Sequence, residues 1–293
     1  MTNSPLKGLI ALLRLPYWLM TGGLSLLTAF ALLKDPLNMS LQTALLIFFS
    51  MAFITSAGFA INDYFDRESD AIIKPKRPLP AGALTLKQVV AISSILFAIG
   101  LSLTYWLPPL SFAILAVDSL VLILYSYLVK KKSGFLANIV VGILTGTAFL
   151  YGQAAISGTI TLISLSLYPI AFGTIGGNVL RDVLSVEGDT KVGYPTLPQK
   201  IGNYNAAKVG AFFFLLTGLL APLPALPLLP NHFTIYYLPL ILTWSVLLIY
   251  SSVRLFLSGS TVQNVRKYER IVTMSMMLLP LALIVEAIAG WII

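Results

Sequence analysis

The chain contains no cysteine and a single histidine, His232, among 293 residues. Without thiols there is no disulfide, no thiolate nucleophile and no iron–sulfur ligand. With one imidazole there is no His cluster, so a metal is left with oxygen donors, the preference of Mg2+ and similar hard cations. Charge is scarce as well. Only 10% of residues are charged, against about 25% in a soluble domain. The chain is 57% hydrophobic, with a mean hydropathy of +0.89, which is the composition of an integral membrane protein. The alternating pattern of a transmembrane barrel is missing, and the apolar runs are too long for one. No long polar stretch marks off a soluble domain, so residues 1–293 read as one all-α membrane domain. The first apolar run is long enough to span and lacks a typical cleavage site, so it is not expected to be a cleavable signal peptide.

What is present is a series of long apolar runs. At roughly 20 residues per crossing they divide into nine spans, near 15–33, 41–61, 88–106, 110–128, 135–157, 161–180, 205–222, 235–257 and 268–292. The shortest connections are at 106/110 and 157/161. Pro108 and Pro109, the Lys130-Lys131-Lys132-Ser133-Gly134 stretch, and Ser258, Gly259 and Ser260 punctuate the runs. The net charge of +8 fits topology and anionic head groups rather than nucleic acid. With the N-terminus inside and the C-terminus outside, every Lys and Arg except Lys34 falls on or beside the cytoplasmic connections. That is the asymmetry expected of a cell-membrane protein, and an error of one span would scramble it.

The chain has only eleven carboxylates, yet four of them sit within Asn62-Asp63-Tyr64-Phe65-Asp66-Arg67-Glu68-Ser69-Asp70. Asn62, Asp66 and Asp70 are spaced by four. On a helix each such step drifts only about 40°, so the three project from one face, with Asp63 close to Asp70 in angle. Carboxylates this close repel, and burying them unpaired is costly unless a cation neutralises them. A second stretch holds Asp182, Glu187 and Asp189. Asp182 and Asp189 are seven apart and share a face if the helix survives Gly188. Both stretches follow even-numbered spans, four helices apart, in the pattern of a four-helix unit used twice with a ninth helix added. Asp63, Asp66, Glu68, Asp70, Asp182, Glu187, Asp189 and Glu269 fall on the cytoplasmic side, as do Arg67, Lys74, Arg77, Lys130 and Arg181. Asp35 falls outside. Such oxygen clusters with cations between them suit a diphosphate bridged by Mg2+. The plainer reading of either stretch is a solvated, salt-bridged loop.

At these residues the chain resembles the UbiA superfamily of intramembrane prenyltransferases. The family's N-D-x-x-D-x-x-x-D motif is matched by Asn62, Asp63, Asp66 and Asp70. The K-P-x-R-P-[IL]-P-x-G tail is matched from Lys74 to Gly82. A Tyr–Lys element appears as Tyr125 and Lys130, and a small-residue helix begins near Asn138. The second motif appears as Val186-Glu187-Gly188-Asp189, followed by Gly193-Tyr194-Pro195-Thr196-Leu197-Pro198. Many members carry Asp where this chain has Ser185, so Asp182 and Glu187 are the candidates to supply that ligand. The resemblance covers nearly the whole chain. It implies a bundle around a cavity open sideways to lipid, and Mg2+-dependent transfer of a polyprenyl group from its diphosphate, with an allylic cation attacked by an alcohol or an aromatic carbon. On this resemblance Asp66, Asp70 and Lys130 carry the reaction. Arg14, Arg67, Lys74, Arg77, Lys130 and Arg181 contact the diphosphate or the acceptor. Asn62, Asp66, Asp70, Asp182 and Asp189 hold the metal.

The acceptor stays open. The Leu13-Arg14-Leu15-Pro16 start, the short loops and the proline tail lean toward geranylgeranylglyceryl phosphate, the precursor of archaeal ether lipids. The Ser185 block is similar to chlorophyll-synthase-like members, which act on a chlorin. Prenylation of 4-hydroxybenzoate or a naphthoate is a third option. Outside the family stand an ion-coupled transporter using Asp118 and a non-catalytic scaffold. Transporter sites lie near the midplane, whereas these acids crowd at one interface. Of the remaining residues, Arg14 is either an interfacial anchor or a substrate contact. Asp118 is either a functional mid-span acid or an interhelical pair. Glu286 reads as structural and His232 as solvated. Gly142 and Gly146 form a small-xxx-small helix contact. Trp18, Trp106, Tyr236, Tyr237 and Trp291 read as an interfacial belt.

Overall fold

The computed structural model describes residues 4–33, 36–257 and 261–292. Among them, nine helices are long and apolar enough to cross a membrane. In chain order, first to ninth, they are Pro5–Leu33, Leu41–Phe65, Leu86–Trp106, Pro109–Lys132, Gly134–Ser157, Leu162–Lys191, Leu197–Ala225, Ile235–Leu257 and Val262–Ile292. The described residues contain no strand. Lys34, Asp35, Ser258, Gly259 and Ser260 lie outside the described residues.

The number of spans agrees with the sequence reading, but the boundaries do not. The first, second, fourth, sixth, seventh and ninth helices all continue well past their apolar runs at the same end of the bundle. Hydropathy marks only what hydrocarbon must cover, whereas a helix continues for as long as its backbone groups are satisfied. Caps set several of these ends. Ser133 Oγ accepts from Leu136 N at 3.3 Å, and Thr261 Oγ1 from Asn264 N at 3.3 Å. Thr85 and Gln88 form a reciprocal capping box. The first helix is interrupted at Arg14, whose φ is +49°, just ahead of Leu15 and Pro16.

The most extensive contacts join the second helix to the third and the sixth to the seventh, equivalent pairs four helices apart. The C-terminal part of the ninth helix packs on the first, and the first also packs on the fifth, closing the bundle. The larger core cluster includes Phe149, Leu167, Leu180, Phe214, Tyr237 and Leu283. Gly142 and Gly146 let the fifth helix lie against the sixth. A Cβ on Gly142 would stand 2.3 Å from Ile175 Cγ1, and one on Gly146 2.7 Å from the Tyr168 ring. Leu120, Val246 and Met277 are among many apolar side chains exposed on the perimeter, the surface that a bilayer covers.

The expected aromatic belt holds only in part. Trp106, Tyr236 and Trp291 are exposed, but Tyr237 is fully buried and donates to Ala221 O at 3.2 Å. Trp18 packs inward, with Nε1 2.6 Å from Ser56 Oγ. An indole N–H or phenol O–H that finds a partner inside the bundle loses its reason to sit at the interface.

Candidate active site

The second helix ends at Phe65, and the chain turns at Asp66 (φ −89°, ψ 1°) into a short helix, Arg67–Ile73. The turn does not break the spacing of four. Asp66 N bonds Asn62 O at 2.9 Å, Asp70 N bonds Asp66 O at 2.8 Å, and Lys74 N bonds Asp70 O at 2.8 Å. Asp63, Asp66 and Asp70 are each at most 4% exposed. Burial of three carboxylates in so short a stretch requires cations, and the rest of the chain supplies them. Arg14 Nη2 lies 2.6 Å from Asp63 Oδ1, with its guanidinium over the Phe59 ring. Arg77 bridges Asp63, at 2.9 Å, and Asp70. Lys130 pairs with Asp66 Oδ2, which also accepts from Asn62 Nδ2 at 2.8 Å.

Lys74, an exposed residue, lies within electrostatic reach of the same group. Its ammonium is held below the usual lysine range by partial desolvation first and by the Arg77 charge second, with Asp70 opposing. Tyr194, from the connection between the sixth and seventh helices, donates its hydroxyl to Asp66 Oδ1 at 2.8 Å. Its phenol is pushed up by burial and then by the Asp66 carboxylate, so it keeps the proton it donates.

The second acidic stretch lies on the sixth helix, which continues through Gly188 to Lys191. Asp182 and Asp189 therefore share one helix, as the spacing of seven requires. Asp182 accepts from Asn138 Nδ2 of the fifth helix at 2.7 Å. Asp189 is turned back on Ser185 Oγ at 2.6 Å. Lys130, paired with Asp66, is also within electrostatic reach of Asp182, and the Tyr125 hydroxyl feels both Asp66 and Asp182. Both stretches thus face one region at one end of the bundle.

The structure does not gather every expected residue. Arg67 folds away, pairing with exposed Glu68 at 3.0 Å and donating to Tyr64 O. Arg181 is over half exposed, bonding Asn178 Oδ1 at 2.6 Å with Glu269 3.9 Å away, so it acts on Asp182 through charge and without a direct bond. Nor do the acids themselves converge. Among the described residues no three acidic side chains form a group able to hold an ion. Carboxylate repulsion is met here by cations instead, Arg14 and Arg77 at Asp63, Arg77 again at Asp70, and Lys130 at Asp66.

The donor chemistry nevertheless fits a hard cation. All candidate ligands are oxygens, and the buried Oδ1 of Asn62 has no hydrogen-bond partner, although it sits beside Asp66 and Lys130. An unsatisfied buried acceptor is costly, and a cation is the partner that an amide oxygen in this setting accepts. Asn62, Asp66 and Asp70 could hold Mg2+ from the first stretch, and Asp182 and Asp189 could do so from the second.

Tyr194 and Asn138 are not candidate site residues from sequence, since only the fold brings Tyr194 to Asp66 and Asn138 to Asp182 from distant parts of the chain. Elsewhere, Asp118 accepts from Thr147 Oγ1 at 2.7 Å, tying the fourth helix to the fifth. Glu286 accepts from Thr234 N and Oγ1 at 2.7–2.9 Å, at the far end of the bundle. The exposed His232 ring lies 3.2 Å from Leu229 O.

Comparison with known proteins agrees with this fold. Residues 23–279 match the model of the UbiA prenyltransferase family. The chain is 36% identical over 222 residues to the digeranylgeranylglyceryl phosphate synthase of Natronomonas pharaonis, covering 75% of this chain and 78% of that one. A solved digeranylgeranylglyceryl phosphate synthase superposes with a TM-score of 0.81 at 30% identity, covering 97% of this chain and 99% of that one. A UbiA homologue from Archaeoglobus fulgidus, solved with GPP and Mg2+, shares the fold with a TM-score of 0.68 at 20% identity, over 98% and 100% of the two chains. With a match over most of its length and relatives above 30% identity, this chain belongs to the UbiA prenyltransferase family.

Proposed function

We propose that this protein transfers a geranylgeranyl group from its diphosphate to the free hydroxyl of geranylgeranylglyceryl phosphate, in a Mg2+-dependent reaction of archaeal lipid synthesis. The observation that carries this reading is the buried carboxylate set of Asp63, Asp66 and Asp70 with half-buried Asn62, interleaved with Arg14, Lys74, Arg77 and Lys130. A metal–diphosphate site needs both acidic oxygens for the ion and cations for the phosphate oxygens. The names of the relatives support the acceptor, and the GPP and Mg2+ of the Archaeoglobus fulgidus homologue support the donor class and the ion.

In this reading Asn62, Asp66 and Asp70, together with Asp182 and Asp189, would hold the metal. When bound, Mg2+ neutralises charge on the departing diphosphate. Lys130 and Arg77 leave their carboxylates to contact phosphate oxygens, and Lys74 adds charge from the side. Arg14 lies at the break of the first helix, placed to meet the phosphate of the acceptor. The C1–O bond to diphosphate breaks, an ether C–O bond forms, and the hydroxyl proton is released. The apolar interior keeps water from the allylic cation. The polar end faces the cytoplasm, since the basic residues crowd there, and residues 1–293 act as one domain.

The test is diphosphate release by purified protein with Mg2+, geranylgeranyl diphosphate and an acceptor. Release is expected with geranylgeranylglyceryl phosphate, and it is abolished by EDTA and restored by Mg2+. Release only with 4-hydroxybenzoate or a chlorin would overturn the acceptor, and no release with any acceptor would overturn the activity.

A further inference from the structure

The connection between the sixth and seventh helices does more than join them. Gly193 takes a φ of +73°, a conformation that side-chain-bearing residues rarely adopt. Tyr194 N donates to Asp189 O at 3.0 Å, so the backbone of Tyr194 is fastened to the end of the second acidic stretch. One residue on, Pro195 O accepts from Gly134 N at 3.0 Å. A Cβ on Gly134 would stand 3.1 Å from Thr196 Cα, so the connection lies directly on the start of the fifth helix.

Held on both sides, this loop sends the Tyr194 side chain to a residue 128 positions earlier in the chain. The hydroxyl donates to Asp66 Oδ1 at 2.8 Å, and Ser69 Oγ lies 2.8 Å from the same hydroxyl. The ring lies under Lys130, whose Nζ is 4.9 Å from the centroid. Asp66 is thereby divided. Oδ1 belongs to Tyr194, while Oδ2 faces Asn62 and Lys130.

We propose that Tyr194 is a positioning residue for metal binding. It fixes the rotation of the Asp66 carboxylate so that Oδ2 stays turned to the ion, and it links that ligand to the second half of the chain. A carboxylate turns through a broad torsion and presents either oxygen, and an ionised one bonded by O–H at one oxygen loses that freedom. Partners of this kind set the affinity of the ligand they orient. The link also suits the departure at Ser185. Where the second half lacks an acid, it contributes a phenol to the acid of the first half. Through its backbone bond to Asp189 O, Tyr194 also ties Asp66 to the end of the second acidic stretch.

The inference rests on the metal-site reading above, and the test separates the two. Mn2+, a paramagnetic stand-in for Mg2+, is titrated by electron paramagnetic resonance into protein in lipid nanodiscs with inorganic diphosphate present. Tyr194→Phe, which removes only the hydroxyl, is expected to weaken Mn2+ binding by about tenfold or more. It is expected to raise the KM for Mg2+ in proportion while kcat at saturating Mg2+ is largely kept. Tyr194→Phe with wild-type Mn2+ affinity and an unchanged KM for Mg2+ overturns the proposal. If Tyr194→Phe also lowers the thermal midpoint, Ser50→Ala is the control. It breaks the 2.5 Å Ser50–Tyr151 bond, ~24 Å from Asp66 along the second helix. Wild-type Mn2+ affinity in Ser50→Ala assigns the loss to the Tyr194 hydroxyl, and equal weakening overturns the proposal. A wild-type protein that binds no Mn2+ under these conditions overturns the metal-site reading itself.

Discussion

Asp66 accepts from three side chains belonging to three different parts of the chain, and that convergence governs how substitutions there behave. Asp66→Asn keeps the shape but leaves Lys130 without its partner and removes a charged ligand. Diphosphate release is expected to fall by about a hundredfold or more at fixed Mg2+, with partial recovery as Mg2+ is raised. Arg77 has the opposite character. It neutralises both Asp63 and Asp70, so Arg77→Ala leaves two buried carboxylates short of a cation. That substitution is expected to cost about 2–3 kcal/mol of stability, seen as a lowered thermal midpoint in detergent, and to raise the KM for the prenyl diphosphate. Mg2+ protects Arg77→Ala against heat more than it protects the wild type, because the ion replaces the missing positive charge. Residue types and their spacing of four were legible in the sequence. Which acid each cation meets was not, because Arg14, Lys130 and Tyr194 reach the site from distant parts of the chain.

At the scale of the element, the contact between the fifth and sixth helices links packing to the site. Gly142 sits one turn above Asn138, and the Ile175 side chain occupies the space that a Cβ on Gly142 would need. Gly142→Ala forces the two helices apart at a cost of about 1–3 kcal/mol, measurable as a fall in thermal midpoint. The same movement lengthens the Asn138–Asp182 bond of 2.7 Å, so activity falls together with stability. Ser157→Ala, on the fifth helix but at the far end of the bundle, is expected to leave activity near wild type. The small-xxx-small spacing was readable in the sequence, whereas the true helix ends were not. Asn62, Lys130 and Asp182 all lie on helical extensions beyond the apolar runs, where hydropathy falls away but backbone hydrogen bonding continues. That is also why Gly188 failed to end the sixth helix. The extension is tied by tertiary contacts that outweigh the roughly 1 kcal/mol a mid-helix glycine costs.

The whole molecule is polarised. Its acids, cations and the linking tyrosine gather at one end, and the other end holds the Gln153–Thr161 and Thr234–Glu286 bonds. Because the chain has no cysteine, single cysteines report orientation without background. Lys76→Cys is expected to react with an impermeant maleimide only after cells are opened, and His232→Cys to react from outside. The reverse pattern would invert the proposed topology.

By itself the sequence determined the solvent in which the protein lives, the number of crossings, the oxygen-only chemistry available to a metal and the family. Each of these follows from composition or from residues close together in the chain. Tertiary structure alone decided the pairing. It paired Arg67 with exposed Glu68 and Arg181 with Asn178, brought Asn138 to Asp182, and carried Tyr194 across the bundle to Asp66. The reason is physical. Helical periodicity dictates which side chains share a face, but which faces meet depends on how all the helices close around a common core. A charge buried at that closure takes the partner that the packing delivers, however far away it lies in the chain.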